Sequence, residues 1–258
     1  MTNIHYKNTK IAFADIGHGE TIVLLHGFLE SSSMWQFFFE AFAASKRIVT
    51  IDLLGHGHSD SLGYMHSMTE NANAVYAVLQ NLGIQKCSVI GHSMGGYVAL
   101  AFAEAHPKFI EKLVLLNSTA ASDSAEKKIN RDRAISVVKK DFETFVRMSI
   151  ANLFAEKNRE KLHDIIEITK QDALKTPLQG IVASLEGMKI REDKTIFFRN
   201  LKAKKLLIHG QKDSVLNVDE AKSQTENSDI QLVILPDGHM SHLENTIELK
   251  KVFQTFFE

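Results

Sequence analysis

The sequence has 258 residues, of which 44% are hydrophobic, enough to bury one large core or a core with an insertion. Its 30 basic and 31 acidic residues leave a formal net charge of -1, which excludes the strong basic footprint of a nucleic-acid or anionic-membrane binder. We therefore expect a small, roughly neutral ligand and no nucleic-acid or membrane partner. The protein is also expected to be a monomer or homodimer. Residues 1–10 lack a signal-peptide run, and the single Cys87 cannot form an internal disulfide, so a cytoplasmic protein is expected.

In the first half of the chain, short β-branched runs alternate with longer helical patterns. The predicted strands are residues 10–16, 21–25, 47–53, 87–91 and 113–116. The predicted helices between them are residues 34–44, 68–82 and 94–105. Strands separated by helices imply an α/β fold with a mostly parallel sheet, whose ligands bind at the carboxyl ends of the strands.

The pattern changes between residues 121 and 200, where strand patterns disappear and apolar residues recur at helical spacing. Strand patterns return at residues 205–209 and 231–235, and a last helix is predicted at 246–257. We therefore predict a core formed by residues 1–120 and 201–258, with an inserted helical cap at residues 121–200.

A candidate nucleophile follows the predicted strand 87–91, in the segment GHSMGG at residues 91–96. This G-x-S-x-G pattern, between a strand and a helix, places Ser93 on a sharp, strained turn at a helix N-terminus, where backbone N–H groups favour an oxyanion. The alternative is a serine that only caps the helix. The neighbouring His92 is expected to pack or to contact substrate at the rim.

Asp213 is the candidate acid, because it lies in the loop GQKD that follows the strand at 205–209. A catalytic serine needs a histidine to accept its proton and a carboxylate to orient that histidine. Asp219 and Asp237 are the rivals, with capping or surface roles expected for both. The loop after residue 116 holds Asn117 rather than an acid, which supports Asp213.

His239 is the candidate base, because it follows Gly238 at the exit of the last predicted strand. The resulting order of serine, aspartate and histidine is that of the α/β-hydrolases. His242 is a rival three residues later, and His209 within its strand is expected to be a core residue.

Two backbone N–H groups are predicted to stabilise the negative charge that develops on a substrate carbonyl. Met94 supplies one, since it follows Ser93. Phe28 supplies the other, from the turn HGF at the end of the strand 21–25, and its ring is free to line the substrate pocket.

Together these motifs resemble the α/β-hydrolase superfamily, specifically its small capped esterases and lipase-like members. The segments that carry the resemblance are HGF at 26–28, DLLGHGHS at 52–59, GHSMGG at 91–96, GQKD at 210–213 and GH at 238–239. The resemblance implies an eight-stranded, mostly parallel sheet flanked by helices, a helical cap, a Ser-Asp-His triad, no cofactor or metal, and ester hydrolysis. The loop at 52–59 is interpreted as structural.

Other chemistries of the superfamily are weighed by residue identity. Dehalogenase-like members have an aspartate where Ser93 stands, and carbon-carbon bond hydrolases usually have Asn at the position of His92. The menaquinone-pathway synthase usually has Arg where this chain has Tyr97, although the cap offers four other arginines to an anionic substrate: Arg131, Arg133, Arg147 and Arg191. A small-molecule sensor with vestigial hydrolysis is the non-enzymatic alternative.

The cap contains apolar side chains that are candidates for the roof of a substrate pocket: Phe142, Phe145, Met148, Leu153, Phe154 and Met188. The alternative is that most of them only pack the cap onto the core. The predicted substrate-binding residues are Phe28, His92, Phe142, Phe145, Met148 and Met188. We expect them to line a modest apolar pocket for short to medium acyl esters.

Overall fold

One sheet organises the computed structural model, which describes residues 1–258 apart from the side chain of Glu40. Its strands are β1 (Thr2–Tyr6), β2 (Thr9–Ile16), β3 (Thr21–Leu25), β4 (Arg47–Ile51), β5 (Cys87–His92), β6 (Ile110–Leu116), β7 (Lys204–Gly210) and β8 (Gln231–Leu235). Their order is β1-β2-β4-β3-β5-β6-β7-β8. The β1–β2 and β2–β4 pairs are antiparallel and the other five pairs are parallel, which confirms the predicted eight-stranded, mostly parallel sheet.

Helices cover both faces of this sheet because successive strand residues point to opposite sides. Ile22 and Leu24 belong to a cluster with Trp35 and the terminal helix, while Val23 belongs to the larger cluster on the other face. The core helices are α1 (Gln36–Phe42), α2 (Met68–Asn81), α3 (Met94–Ala105), α9 (Val218–Thr225), α10 (Ser241–Glu244) and α11 (Thr246–Phe257).

The chain between β6 and β7, residues 117–203, forms what we name the helical insertion. Its helices are α4 (Ala125–Lys140), α5 (Phe142–Leu153), α6 (His163–Ala173), α7 (Leu178–Lys189) and α8 (Thr195–Asn200). Helix α4 packs on α5 and α7, and α5 packs on α6. No strand occurs in the described part of this segment.

Two differences from the sequence-based elements have local causes. Strand β1 was not predicted because it is a mostly polar edge strand; it pairs with β2 through a tight turn in which Lys7 and Asn8 have φ of 48° and 63°. The helix expected at 34–44 is instead a 3-10 turn at Ser32–Trp35 followed by α1, since Ser31 caps the earlier turn. Within the described residues, no helix has the length and apolarity needed to cross a membrane.

Candidate active site

Ser93 lies at the sharp turn between β5 and α3, with φ of 48° and ψ of -115°. Such a backbone conformation is strained for a residue with a side chain and costs about 1–3 kcal/mol. The turn is held by hydrogen bonds from the Ser93 N–H to the Leu116 carbonyl (3.0 Å) and from the Ser118 hydroxyl to the Ser93 carbonyl (2.7 Å). A Cβ at Gly91 would overlap the backbone of Gly95, so only glycine permits this close approach of strand and helix.

His239 connects Ser93 to Asp213. Its Nε2 lies 2.8 Å from Ser93 Oγ, and its Nδ1 lies 2.7 Å from Asp213 Oδ2. Since a carboxylate only accepts, Nδ1 carries the proton and Nε2 is the acceptor for the serine hydroxyl. The three residues predicted from separate loops therefore form one hydrogen-bonded chain at the carboxyl ends of β5, β7 and β8.

Asp213 is held as a buried anion. Burial alone would raise the pKa of its carboxyl, but the adjacent His239 and the backbone N–H groups of Val215 and Leu216 outweigh that effect and lower the pKa to about 2. Those two N–H groups donate to Asp213 Oδ1 at 2.8 and 3.0 Å, and the Asn117 amide donates to Oδ2 at 3.2 Å. The carboxylate is thus ionised and fixed near neutral pH.

The loop that carries Phe28 packs directly against the serine turn. A Cβ on Gly95 would overlap the Leu25 and His26 carbonyls, which shows how closely the two segments approach. His26 braces the loop: its Nε2 accepts the Leu53 N–H at 2.9 Å. The backbone N–H groups of Phe28 and Met94 have no hydrogen-bond partner among the described residues, so both remain available to a ligand.

The rival acids and bases lie elsewhere. Asp219 is in the first turn of α9. Asp237 is buried, and burial raises the pKa of its carboxyl. His209 is buried in β7 beside the Leu216 carbonyl, as expected of a core residue. His242 is 1% exposed, its ring centroid lies 4.9 Å from that of His92, and its Nε2 lies 3.5 Å from Glu30 Oε1.

His92 corrects one expectation and reveals a residue that the sequence reasoning missed. His92 is 1% exposed and therefore makes no rim contact. Its Nδ1 lies 2.7 Å from Glu30 Oε2, and its Nε2 donates to the His239 carbonyl at 3.0 Å. Glu30 also accepts the Gly27 N–H at 2.7 Å. The only sequence sign of Glu30 is its place two residues after the HGF turn.

The predicted cap residues separate into two groups. Phe142 and Phe145 are partly buried against the main core, and Met188 is 3% exposed within it, so packing accounts for these three. Met148 is 60% exposed, so the prediction that it forms part of a pocket roof is wrong. The reason is helical geometry: Val146 and Ile150 on the same helix are buried, and a residue two positions from each lies on the opposite face.

A cleft of about 720 Å³ opens between α6 and the loops that follow β3 and β8. Its walls include Leu29 and Met240, the neighbours in sequence of Phe28 and His239, and Ile165 and Ile168 of α6. No residue of α6 was predicted to line the pocket. The available sign in the sequence was two isoleucines three residues apart, on one helical face, and the structure leaves both exposed.

Three of the four predicted arginines of the helical insertion pair with neighbouring carboxylates. Arg191 Nη1 lies 2.6 Å from Asp123 Oδ1, and its guanidinium stacks 4.0 Å from the Tyr97 ring centroid. Arg131 also pairs with Asp123. Arg147 pairs with Glu143 at 2.8 Å, and the exposed Arg133 contacts Asn130.

The loop at residues 52–59 confirms its structural interpretation. Asp52 accepts backbone N–H groups from Ser32 and His58, both at 2.8 Å. The Ser59 hydroxyl donates to the Asp52 carbonyl at 2.6 Å, and Gly57 has φ of 54°. These bonds fix the loop against the segment that follows β3.

Known proteins share the fold of this chain. The family described as "alpha/beta hydrolase fold" matches residues 20–246, and the chain belongs to that family. It is 29% identical to a putative 2-succinyl-6-hydroxy-2,4-cyclohexadiene-1-carboxylate synthase of Bacillus subtilis, over 96% of this chain and 94% of the relative. A solved thermophilic esterase from Thermogutta terrifontis has a TM-score of 0.93 and 27% identity, covering 100% of this chain and 98% of its own.

A further relative is longer than this chain. The dihydrolipoyllysine-residue acetyltransferase component of the acetoin cleaving system of Pseudomonas putida is 27% identical over 92% of this chain, which spans 63% of that relative. The two proteins therefore share the hydrolase fold over less than two thirds of the relative's length.

Proposed function

We propose that this protein is a serine hydrolase that cleaves small carboxylic esters through an acyl-enzyme intermediate. The observation that carries the proposal is the chain from Ser93 Oγ through His239 to Asp213, with links of 2.8 and 2.7 Å. Donor and acceptor atoms at these distances transfer a proton without rearrangement of the loops.

In the proposed mechanism, His239 Nε2 accepts the hydroxyl proton as Ser93 Oγ attacks the ester carbonyl. The N–H groups of Phe28 and Met94 stabilise the resulting oxyanion. His239 then donates its proton to the leaving alcohol, and a water molecule, activated by the same histidine, releases the acid. Asp213 stabilises the imidazolium throughout.

We assign the substrate to the cleft beside α6. Its apolar walls suit the acyl or alcohol group of a small ester, and Leu29 and Met240 connect it to the loops of Phe28 and His239. The similarity to the Thermogutta esterase supports ester chemistry. The helical insertion would then act as the cap over the bound ester.

A synthase of the menaquinone pathway is the second candidate, because the Bacillus relative aligns along nearly the whole of both chains. Its anionic substrate needs unpaired positive charge. Here Arg131 and Arg191 share the carboxylate of Asp123, and no arginine among the described residues lines the cleft, which favours the neutral ester. The carbon-carbon bond hydrolase and the sensor use the same three residues, and turnover assays distinguish them.

The first test is labelling with a fluorophosphonate, followed by peptide mapping and assays on p-nitrophenyl esters from acetate to decanoate. We expect the label on Ser93 and turnover that Ser93→Ala lowers by at least about 10⁴-fold. Circular dichroism of the variant checks that the fold is kept. Label on Ser93 with negligible ester turnover would transfer the proposal to the synthase, the carbon-carbon bond hydrolase or the sensor; full activity of Ser93→Ala would refute the mechanism.

A further inference from the structure

A buried cluster of three potential metal ligands lies behind the proposed catalytic histidine. Glu30 follows β3, His92 ends β5 and His242 lies in α10, and their ligand atoms all fall within 4.8 Å of one another. The side chains are only 4%, 1% and 1% exposed. None of the three takes a direct part in the proposed ester hydrolysis, so the cluster is distinct from the Ser93 site.

Several polar atoms of this cluster lack hydrogen-bond partners among the described residues. They are Glu30 Oε1 and both ring nitrogens of His242. Glu30 Oε1 lies 3.5 Å from His242 Nε2, too far for a good hydrogen bond to a neutral ring. Buried carboxylate and imidazole atoms without partners are costly, so their convergence on one point indicates a ligand there.

The chemistry of the three side chains defines that ligand. Two imidazole nitrogens and one carboxylate oxygen are a donor set that Zn²⁺ takes in proteins, with a water molecule in the remaining position. His92 is already oriented for the role, since its Nε2 donates to the His239 carbonyl and its Nδ1 faces Glu30. A ligating histidine is commonly fixed by such a hydrogen bond to a backbone carbonyl.

We propose that Glu30, His92 and His242 bind a divalent transition-metal ion, with Zn²⁺ as the best match. Glu30 and His242 line the 720 Å³ cleft, which gives the ion a path and supplies the water ligand. The ion takes the place of the proton on His92 Nδ1, and that proton leaves to solvent.

An ion bound at this site is also expected to inhibit the hydrolase, an inference that rests on the proposed function. Glu30 Oε2 holds the Gly27 N–H, next to Phe28, and His92 holds the His239 carbonyl. An ion that draws Glu30 and His92 toward His242 displaces both loops. Because a displacement of about 1 Å near the reacting groups costs about 10²-fold in rate, bound Zn²⁺ is expected to lower ester turnover by at least tenfold.

Cobalt titration tests the binding site directly, because Co²⁺ in a four- or five-coordinate protein site absorbs visible light far more strongly than aqueous Co²⁺. The wild-type protein is expected to give these bands at one equivalent. Glu30→Gln and His242→Gln each remove one ligand and should weaken binding by more than about tenfold. Unchanged affinity in both variants, or only the weak aqueous spectrum in the wild type, overturns the site.

Two matched controls test whether other histidines bind the ion. His58→Gln removes an exposed histidine from the same cleft, and His239→Gln removes the ring bound to Asp213. Both variants should keep the cobalt bands; their loss in His239→Gln would place the ion at the Ser93 site instead. X-ray absorption of the wild type with one equivalent of Zn²⁺ needs no variant, and it should show two imidazole ligands.

Inhibition is measured separately on p-nitrophenyl butyrate. One equivalent of Zn²⁺ should lower wild-type turnover and a chelator should restore it, whereas Mg²⁺ should have no effect and the turnover of His242→Gln should be insensitive to Zn²⁺. If the wild type has no esterase activity, the proposed function fails while the cobalt spectrum still decides the site. If Zn²⁺ fills the site and turnover is unchanged, the inhibitory role is wrong.

Discussion

The carboxyl edge of the sheet and the helical insertion contribute to the same proposed site in different ways. At the sheet edge, Ser93, Asp213 and His239 are fixed by hydrogen bonds to neighbouring backbone, and their places follow from strand order. In the helical insertion, whether a residue reaches the proposed site depends on which face of its helix packs inward. Motifs in loops after parallel strands therefore predict position well, whereas apolar composition in a helical insertion does not.

The largest expected effect tests the sheet edge. Asp213→Asn should lower kcat for p-nitrophenyl butyrate by about 10⁴-fold, because an amide no longer holds His239 in the tautomer that accepts the serine proton. Steady-state kinetics measure it. Asp219→Asn is the matched control in the first turn of α9 and should change kcat by less than about threefold; similar losses in both variants would show that the acid is misassigned.

Glu244 connects the two regions, and its removal should have the next largest effect. Its carboxylate accepts the N–H groups of Gly238 (2.9 Å) and Ala155 (3.0 Å), which joins the His239 loop to the end of α5. Glu244→Gln should lower the free energy of unfolding by about 2–3 kcal/mol, since charge-assisted bonds are lost. Urea denaturation measures this change.

The control for that prediction is Glu248→Gln in α11. Its carboxylate is half exposed and pairs with the exposed Lys251 at 3.2 Å, so a change of less than about 1 kcal/mol is expected. Equal destabilisation by both variants would mean that Glu244 does not couple the helical insertion to the loop.

At acid pH, the difference in stability between the wild type and Asp213→Asn should report the titration of Asp213. Its folded pKa of about 2 lies below the ordinary value of 3.8, so its stabilisation is present above pH 4 and is lost as pH falls through 2. The shift corresponds to about 2 kcal/mol. Urea denaturation should therefore show the stability advantage of the wild type over Asp213→Asn shrinking by that amount between pH 5 and pH 2. A constant difference across this range contradicts the assignment, and Asp219→Asn is the control.

The same contrast explains what the sequence could predict. The turn at Ser93 was predictable because glycines at fixed positions there permit the close approach of strand and helix. Asp213 and His239 were predictable because each follows a buried strand. The role of Glu30 was not predictable, because His92 and His242 are distant from it in sequence and no local motif indicates that the three side chains meet. Met148 failed for a related reason: composition does not reveal which side of α5 faces solvent.

The smallest effect tests the helical insertion itself. Ile168 is 64% exposed on the cleft side of α6, and Met148 is 60% exposed on α5, so the two residues are matched in exposure. If acyl chains lie in the cleft, Ile168→Ala should lower kcat/KM for p-nitrophenyl octanoate about threefold more than for the acetate, because only the longer chain reaches the lost apolar contact. Met148→Ala should change neither ester by more than about 1.5-fold, as it lies on the solvent face of α5. Equal sensitivity of acetate and octanoate to Ile168→Ala would remove α6 from the acyl site, and an octanoate defect in Met148→Ala would restore α5 to it.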